Sequence, residues 1–315
     1  MGKRNLRYPN RILTIGELYG HRENVFMETG GKMRKFTFAF IALIVAAGVL
    51  SAGTTITIKG SDTLVRLGQR WAEEYMKLNE ETVIQVSGGG SGTGIAALLN
   101  GTTDVCEASR DMKPKEYKLA EKAGVEPYRV SVSLDGIAVY LHNDNQVTEF
   151  SLAQLKGIYT GQIKNWKEVG GKDARIILYG RENNSGTYAF FKEHVLEKED
   201  YAEETQTLPG TAAVVNAVSK DKNGIGYGGI AWAKGVKFAL VKVDEKSPAI
   251  EPTMENVSDG TYPISRDLYW FFNGKPTGDL KKLVNWALSP AGQKIAEEIG
   301  YVPLSKEQAE KNMVK

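Results

Sequence analysis

Apolar and polar residues along the chain follow a repeating order of strand, loop and helix. Residues 55–58 (Thr-Ile-Thr-Ile) alternate with period two and predict a strand that ends at Gly60. Leucines and aromatic residues then recur at helical spacing between Leu64 and Leu78, with Ser61 or Asp62 as the expected N-cap. Strands and helices that alternate in this way predict an α/β fold with a largely parallel sheet.

Two further units of this kind follow the first. A strand over residues 83–86 leads through a glycine-rich loop, residues 87–94, into a helix that contains Ile95 and Leu99. A third strand, over residues 104–108, ends at Ser109-Arg110, before a helix that begins around Pro114.

A second group of elements begins near Gly136. Its expected strands cover residues 137–141, 175–179 and 224–229, and its expected helices begin at Ser151 and cover 188–191 and 211–218. The aromatic segment 262–272 and an amphipathic helix over 279–299 are expected to return to the first group. The predicted domains are residues 54–134 plus 262–315 for lobe 1 and residues 135–261 for lobe 2.

The first 53 residues have a different pattern and form an N-terminal extension. Lys32, Arg34 and Lys35 precede an apolar run over residues 36–50, and Ser51-Ala52-Gly53 follows it. A basic segment, an apolar segment and small residues are typical of a secretory signal peptide. The run is shorter than the roughly 20 apolar residues that cross a bilayer, which favours cleavage near Gly53. We expect the signal peptide to start at Met33 and the protein to be exported.

The net charge changes once this extension is set aside. The whole chain has a net charge of +2, but eight of its 40 Lys/Arg and three of its 38 Asp/Glu lie in residues 1–53. The remaining 32 basic and 35 acidic residues give a net charge near −3. This balance provides no surface for nucleic acid or anionic membranes, so a bound anion must be held by local donors. The single cysteine, Cys106, excludes an intrachain disulfide.

Three loops share one design, in which small hydroxyl residues and glycines separate a strand from the helix that follows. The loops are Ser61-Asp62-Thr63, Ser91-Gly92-Thr93 and Ser185-Gly186-Thr187. The first amides of a helix have no intrahelical acceptor and the helix dipole is positive there, so each loop can bind an anion. Ligands in open α/β sheets bind at the carboxyl ends of strands, where all three loops are expected.

Two arginines extend this donor set. Arg181 lies four residues before Ser185, and Arg110 ends the third strand. A guanidinium has a planar fork of donors that matches an oxyanion and keeps its charge. The sequence therefore predicts a site for a small tetrahedral oxyanion.

These residues resemble the phosphate-binding proteins of ABC transporters over residues 54–305. Arg181 with Ser185-Gly186-Thr187 is similar to the Arg-x-x-x-Ser-Gly-Thr phosphate loop of that family, Thr63 with the Leu64 amide to its first binding loop, and Ser91 to the serine of its second. The resemblance implies a two-lobed periplasmic-binding-protein-like (type II) fold, with mixed, mostly parallel sheets and a hinge of two crossover strands. It also implies a monomer that closes over inorganic phosphate and delivers it to a membrane permease, without catalysis, cofactor or metal.

The sequence departs from that family at one position. Well-known members of the family place an aspartate at the end of the third strand, where it accepts the proton of hydrogen phosphate, whereas Arg110 occupies the matching position here. Some relatives resemble this Ser-Arg version, so the departure does not exclude phosphate. We expect Arg110 to contact the anion. Asp62 is then the first candidate for the proton acceptor and Glu182 the second.

Several alternatives stay open at this stage. The site could hold tungstate, molybdate or sulfate, and a chain that keeps its apolar segment would be a membrane-tethered phosphate sensor. A serine hydrolase is disfavoured, because neither Ser91 nor Ser185 lies in Gly-x-Ser-x-Gly. No cluster of side chains with metal-ligand spacing is apparent in the sequence.

Overall fold

The computed structural model describes residues 53–315; the expected start at Met33 and the apolar run lie outside them. Ten strands occur in the described part of the chain: β1 (Thr54–Gly60), β2 (Thr82–Ser87), β3 (Val105–Ala108), β4 (Pro127–Leu141), β5 (Glu149–Ser151), β6 (Ile177–Arg181), β7 (Gln206–Leu208), β8 (Gly224–Gly229), β9 (Lys237–Lys242) and β10 (Ser265–Asn273).

Helices connect most of these strands. They are α1 (Val65–Leu78), α2 (Ser91–Leu99), α3 (Pro114–Ala123), α4 (Leu152–Tyr159), α5 (Gly186–His194), α6 (Gly210–Lys220), α7 (Met254–Ser258), α8 (Gly278–Ala287), α9 (Pro290–Glu298) and α10 (Lys306–Asn312). Two short 3₁₀ helices cover Trp166–Val169 and Ile230–Trp232. Within residues 53–315, we find no helix whose length and apolar content would let it cross a membrane.

The strands form a mixed sheet in the order β2-β1-β3-β10-β4-β8-β6-β7, and β9 pairs with β4 and β5. Five strand pairs are parallel: β1–β2, β1–β3, β5–β9, β6–β7 and β6–β8. Every pair that involves β4 or β10 is antiparallel. The predicted α/β class and mixed sheet are therefore confirmed.

Strand β4 joins two halves of this sheet. Its residues 127–136 pair with β10, whereas residues 137–141 pair with β8. We call β1, β2, β3, β10 and the beginning of β4, with their helices, the first half, and the end of β4 with β5 to β9 the second half. The chain passes from one half to the other through β4 and returns into β10, as expected for two crossover strands. The lobe boundaries at residues 134/135 and 261/262 stay a prediction.

Each half buries its own aromatic groups. In the first half the rings of Trp71 and Trp270 meet edge to face with centroids 5.4 Å apart. In the second half Phe191 stacks on Tyr227 at 4.1 Å, and Tyr159 meets both rings edge to face. Such pairs add specific geometry to apolar burial, which gives each half a rigid framework for the loops at its strand ends.

Two local predictions are wrong in detail. The expected single helix over residues 279–299 is two helices, because Pro290 has no N–H to continue α8 and the Ser289 side chain caps α9 instead. Neither Ser61 nor Asp62 caps α1: the N-cap position is Leu64, and it makes no side-chain capping bond. Instead, the side chain of Ser61 donates to Ser109 Oγ, and that of Asp62 forms an ion pair with Arg181.

Candidate anion-binding site

Five hydroxyl side chains meet where β1, β3 and β6 end. We call them the hydroxyl cluster: Ser61, Thr63, Ser91, Ser109 and Thr187. All five are at most 2% exposed. Parallel strands β1 and β3 end at the same edge of the first half, and the end of β6 brings the beginning of α5 to them from the second half.

The cluster is linked by short contacts. Ser61 Oγ donates to Ser109 Oγ at 2.9 Å, and the Ser109 amide donates to Ser91 Oγ at 3.0 Å. Thr63 Oγ1 and Thr187 Oγ1, from different halves, lie 2.9 Å apart. The predicted loops are therefore brought together, and Ser109, which the sequence did not suggest, is one of their members.

Arg181 is the last residue of β6 and lies beside the cluster, 1% exposed. Its Nη1 donates to Thr211 Oγ1 at 3.0 Å, and its Nη2 donates to Asp62 Oδ2 at 2.5 Å. Its Nε is also buried, yet it has no hydrogen-bond partner among residues 53–315. An unpaired buried N–H of a charged group is costly, so this donor is suited to an added acceptor such as an anion.

Asp62 links the two halves of the sheet. Besides the ion pair with Arg181, its Oδ1 accepts from the Gly89 amide at 2.8 Å. Both contacts explain why Asp62 does not cap α1. The carboxylate neutralises the Arg181 charge from the opposite half, so the pair forms only when the halves approach each other.

The loop before α5 has the predicted helix-terminus geometry. Ser185 is the N-cap of α5, and its Oγ accepts from the amides of Thr187 and Tyr188, each at 3.2 Å. A hydroxyl that accepts in this way still has its own hydrogen to donate. Gly186 follows as the first residue of α5, and a Cβ at that position would lie 2.3 Å from Ser91 Oγ. Only glycine allows this approach between the halves.

The Leu64 amide does not have the expected free hydrogen. It donates to Ser61 O at 3.0 Å within the turn that precedes α1. This turn is fixed through the Thr63 carbonyl, which accepts from Tyr301 Oη at 2.6 Å and from Trp232 Nε1 at 3.2 Å. Thr63 contributes to the cluster through its side chain, while Leu64 supports the turn.

Comparisons with known proteins agree with this arrangement. A family model described as a PBP superfamily domain matches residues 45–291. The phosphate-binding protein PstS of Pseudomonas aeruginosa is 37% identical over 270 residues, 80% of this chain and 84% of the relative, and that of Staphylococcus epidermidis is 32% identical over 257 residues, 79% and 78%. The chain belongs to the phosphate-binding proteins of the PBP superfamily.

A solved structure of a family member supports the same assignment. A Clostridium perfringens protein described as a phosphate ABC transporter substrate-binding protein, solved with bound phosphate, is 30% identical. The alignment covers 80% of this chain and 100% of that chain, with a TM-score of 0.73. The predicted periplasmic-binding-protein fold is confirmed.

Arg110 has an ion-pair partner that the sequence did not suggest. Its guanidinium forms a two-pronged ion pair with Glu116, Nη1 to Oε2 at 2.7 Å and Nη2 to Oε1 at 2.9 Å. Glu116 caps α3 as well, since it accepts from the Lys113 amide at 2.7 Å. This carboxylate occupies both Nη atoms of Arg110, whereas the buried Nε has no hydrogen-bond partner among residues 53–315, and a contact between Arg110 and the anion stays a prediction.

A different arginine lies in the cluster. Arg266 of β10 is 7% exposed, and its Nη2 lies 3.0 Å from Thr187 Oγ1 and 3.4 Å from Thr63 Oγ1. It forms a buried ion pair with Asp135 of β4, at 2.7 Å. Sequence reasoning missed both residues; the available signal was the occurrence of Asp135 and Arg266 in two strands that are rich in apolar residues.

Asn184 was also missed, and it fastens the glycine-rich loop to the second half. Its carbonyl oxygen accepts from the Gly92 amide at 2.9 Å, and its Nδ2 donates to Gly89 O at 3.0 Å. A Cβ at Gly90 would lie 2.8 Å from Asn184 O, and Gly90 has a φ of +91°. The glycines thus serve close backbone approach as well as turn formation.

A buried carboxyl lies beneath the cluster. Glu107 of β3 is 0% exposed, and its Oε1 accepts from Trp270 Nε1 at 3.2 Å. Burial raises the pKa of Glu107 to about 8, and the nearby Asp62 charge adds to this shift, while the hydrogen bond from Trp270 opposes it. Gly68 of α1 makes room for the carboxyl, since a Cβ there would lie 2.2 Å from Oε1.

A cleft between the halves leads toward this site. It has a volume of about 510 Å³, and its lining includes Lys113, Phe190, His194 and Arg266. Among residues 53–315, no group of three or more His, Cys, Asp or Glu side chains is placed to hold a metal ion. The second candidate acceptor, Glu182, is exposed.

Proposed function

We propose that this protein binds inorganic phosphate outside the cytoplasm and delivers it to the permease of an ABC transporter. The observation that carries the proposal is the buried, unpartnered Nε of Arg181 beside five buried hydroxyl groups. A phosphate oxygen is the acceptor that this guanidinium edge lacks within the described part of the chain. The relatives named above, one of them solved with bound phosphate, support the choice of anion.

The proposed ligand donors come from both halves. Thr63 and Ser91 belong to the first half, and Arg181, Ser185, Gly186 and Thr187 to the second. Helices α2 and α5 begin at Ser91 and Gly186, so both add the positive end of a helix dipole. Arg110 stays a candidate donor: Glu116 pairs with its Nη atoms, but its buried Nε, like that of Arg181, has no hydrogen-bond partner among residues 53–315.

The net charge of the proposed site is small before the ligand binds. Asp62 neutralises Arg181, and Asp135 neutralises Arg266. Phosphate is therefore held mainly by oriented N–H and O–H groups, and capture follows from closure of the two halves around it. Removing the anion from water is costly, so nearly every phosphate oxygen must find a donor when the cleft closes.

Selectivity against other tetrahedral anions rests on Asp62. Sulfate brings no proton, so it cannot donate to the Asp62 carboxylate, whereas hydrogen phosphate can. Tungstate, molybdate and sulfate are the alternatives that a direct test must include. Glu182 is the weaker candidate for this acceptor because it is exposed.

The arrangement offers little to a hydrolase. Among residues 53–315 there are two histidines, and neither contacts Ser91 or Ser185: His142 Nδ1 accepts from the Asp144 amide, and His194 packs on the Phe190 ring at 4.0 Å. Ser185 Oγ accepts two amide hydrogens, which is the role of a helix cap. We expect no phosphatase turnover.

Export, the start at Met33 and cleavage near Gly53 remain part of the proposal, as does a monomeric state. Sequencing the N-terminus of the protein recovered from cells distinguishes a cleaved protein from a membrane-tethered sensor. A mature N-terminus near residue 54 would support the transport role. Recovery of the apolar run in the mature protein would favour the sensor.

Calorimetric titration with phosphate, sulfate, molybdate and tungstate tests the proposed ligand. We expect phosphate to bind most tightly, with a dissociation constant in the micromolar range or below. This corresponds to a binding free energy of about −8 kcal/mol or more negative. Arg181→Ala should abolish measurable binding. Arg70→Ala is the control, because Arg70 is also an ion-paired arginine but lies on α1, away from the cluster. Equal loss of binding in both variants would contradict the site assignment.

A further inference from the structure

Arg266 lies outside the three loops that resemble the binding loops of the family. It nevertheless contacts Thr63 and Thr187, which belong to two of these loops. It lies opposite Asp135 in the register of β10 and β4, the two strands through which the halves are joined. Its side chain is 2% exposed and that of Asp135 is 1% exposed. This pair is therefore placed at the hinge and at the proposed anion site at once.

The five donor contacts of Arg266 connect both halves. Nε and Nη2 donate to Asp135 Oδ2 at 3.1 and 2.7 Å, and Nη1 donates to Ser109 O at 2.8 Å. Nη2 also reaches Thr187 Oγ1 at 3.0 Å and Thr63 Oγ1 at 3.4 Å. Ser109 and Thr63 lie in the first half and Thr187 in the second, so the full set of contacts exists only when the halves are together.

The contacts from Arg266 occupy acceptor positions of the Thr63–Thr187 hydroxyl pair. A guanidinium can only donate, so Thr187 Oγ1 accepts from it. The contact between Thr63 and Thr187 uses one hydroxyl hydrogen, whichever residue donates it. The other of the two hydroxyl hydrogens remains available for donation to a further acceptor, such as a ligand oxygen.

We propose that Arg266 is a positioning residue for the bound anion: it occupies acceptor positions of the Thr63–Thr187 pair, so that the pair meets a ligand as a hydrogen-bond donor, and it couples closure to the crossover strands. This inference rests on the proposed function. It identifies the favoured ligand at this point of the site as an unprotonated oxyanion oxygen. A ligand that presented an O–H there would meet a second hydrogen and lose the contact.

Asp135 holds the guanidinium in this orientation and is itself tied to the second half. A Cβ at Gly229, the last residue of β8, would lie 2.7 Å from Asp135 Oδ1, so the β8 backbone packs directly on the carboxylate. Burial raises the pKa of Asp135, and the adjacent Arg266 together with a hydrogen bond from the Ile230 backbone opposes that shift. A buried ion pair of this kind adds little to the stability of the folded protein, because removing both charges from water offsets their attraction. A positioning role therefore explains its location better than a stabilising role.

A double variant tests this proposal without leaving a buried charge unpaired. Arg266→Met with Asp135→Asn removes the pair, and Arg70→Met with Glu74→Gln removes an arginine–carboxylate pair on α1, away from the cluster. The full chain would be titrated with phosphate, and release rates followed by tryptophan fluorescence, to which Trp232 contributes through its hydrogen bond to Thr63 O across the cleft. We expect the first variant to bind phosphate at least 30-fold more weakly, mainly through faster release, and the control to stay within threefold of the wild type.

A second variant covers the case in which the double variant does not fold. Arg266→Lys keeps a positive charge beside Asp135 but has one nitrogen, which cannot reach Asp135, Ser109 O and Thr187 together. We expect at least a tenfold weaker affinity, with a melting temperature that falls no more than that of the control pair. Wild-type affinity in either Arg266 variant would overturn this proposal alone. A wild-type protein that binds no phosphate would overturn the proposed function as well.

Discussion

The hydroxyl oxygens of Thr63 and Thr187 lie 2.9 Å apart, although the two residues are 124 positions apart in the sequence. Thr63 follows β1 in the first half, and Thr187 lies at the beginning of α5 in the second. Their contact marks the point at which the two halves meet around the proposed ligand. Side chains that hold the halves together should therefore affect phosphate binding as well as the direct ligand donors.

Gly186 allows this approach, and its substitution should prevent it. The Cβ of Gly186→Ala would lie 2.3 Å from Ser91 Oγ and 2.5 Å from Ser109 Oγ, both in the opposite half. We expect phosphate affinity to fall at least 100-fold, because the halves cannot close fully. Alanine is well suited to a helix, so the free energy of unfolding should change by no more than about 1 kcal/mol. Calorimetry and urea unfolding measure the two effects, and tight phosphate binding by this variant would contradict the steric argument.

The hydrogen bonds that Asn184 makes to the glycine-rich loop should slow the release of the ligand. Asn184→Ala removes the bond from Nδ2 to Gly89 O but keeps the backbone bond from the Gly92 amide. One neutral hydrogen bond contributes about 0.5–1.5 kcal/mol, so we expect phosphate release to become roughly threefold to tenfold faster. Stopped-flow fluorescence measures the release rate. Asn183→Ala, at the exposed neighbouring asparagine, is the control and should leave it unchanged.

Asp62 should determine the preference for phosphate over sulfate. Asp62→Asn replaces the acceptor for the phosphate proton with a group that can also donate, so the ratio of the two affinities should narrow by about tenfold or more. Calorimetry with both anions measures this ratio, which separates the effect on selectivity from the loss of the Arg181 ion pair. Glu182→Gln is the control. An unchanged ratio for Asp62→Asn would remove Asp62 from the acceptor role.

Glu107 should make the stability of the protein depend on pH. Its pKa in the folded protein is about 8, above the ordinary value of 4.5, so folding takes up a proton between these two values. Stability from this group is fully present below about pH 4.5 and is lost as the pH rises to about 8, at about 1.4 kcal/mol per pKa unit. Glu107→Gln resembles the protonated acid and should flatten this dependence, so that the variant is more stable than the wild type above pH 8.

Urea unfolding of wild type and Glu107→Gln at pH 5, 7 and 9 measures this effect. Glu121→Gln, at an exposed position of α3, controls for the loss of a surface charge. Parallel pH profiles for the wild type and Glu107→Gln would show that Glu107 does not take up the proton.

Local sequence patterns predicted most of the framework. Each strand that precedes a proposed ligand loop was visible from its apolar pattern, and the beginning of α4 from Ser151, which is its N-cap. Helix ends were less accessible. The cap of α1 was misassigned because Asp62 forms an ion pair with Arg181, 119 residues away, and no local rule contains that partner.

The arginines show where sequence reasoning stops. Arg181 was identified because its loop carries a local motif. Arg110 was placed at the ligand, although Glu116, six residues later in the sequence, occupies its guanidinium and also caps α3. Arg266 was missed because its contacts come from separate strands and loops, with Asp135 131 residues away. Which arginine faces a ligand depends on the carboxylates that compete for it, and that competition is decided by tertiary structure.

A crystal structure of the protein grown with phosphate tests the central claim most directly. The account predicts a phosphate ion between the two halves, with an oxygen at hydrogen-bond distance from Arg181 Nε and others on the hydroxyl groups of Thr63 and Ser91. Phosphate bound elsewhere, or a closed cleft in which Arg181 Nε still faces no anion at saturating phosphate, would contradict it.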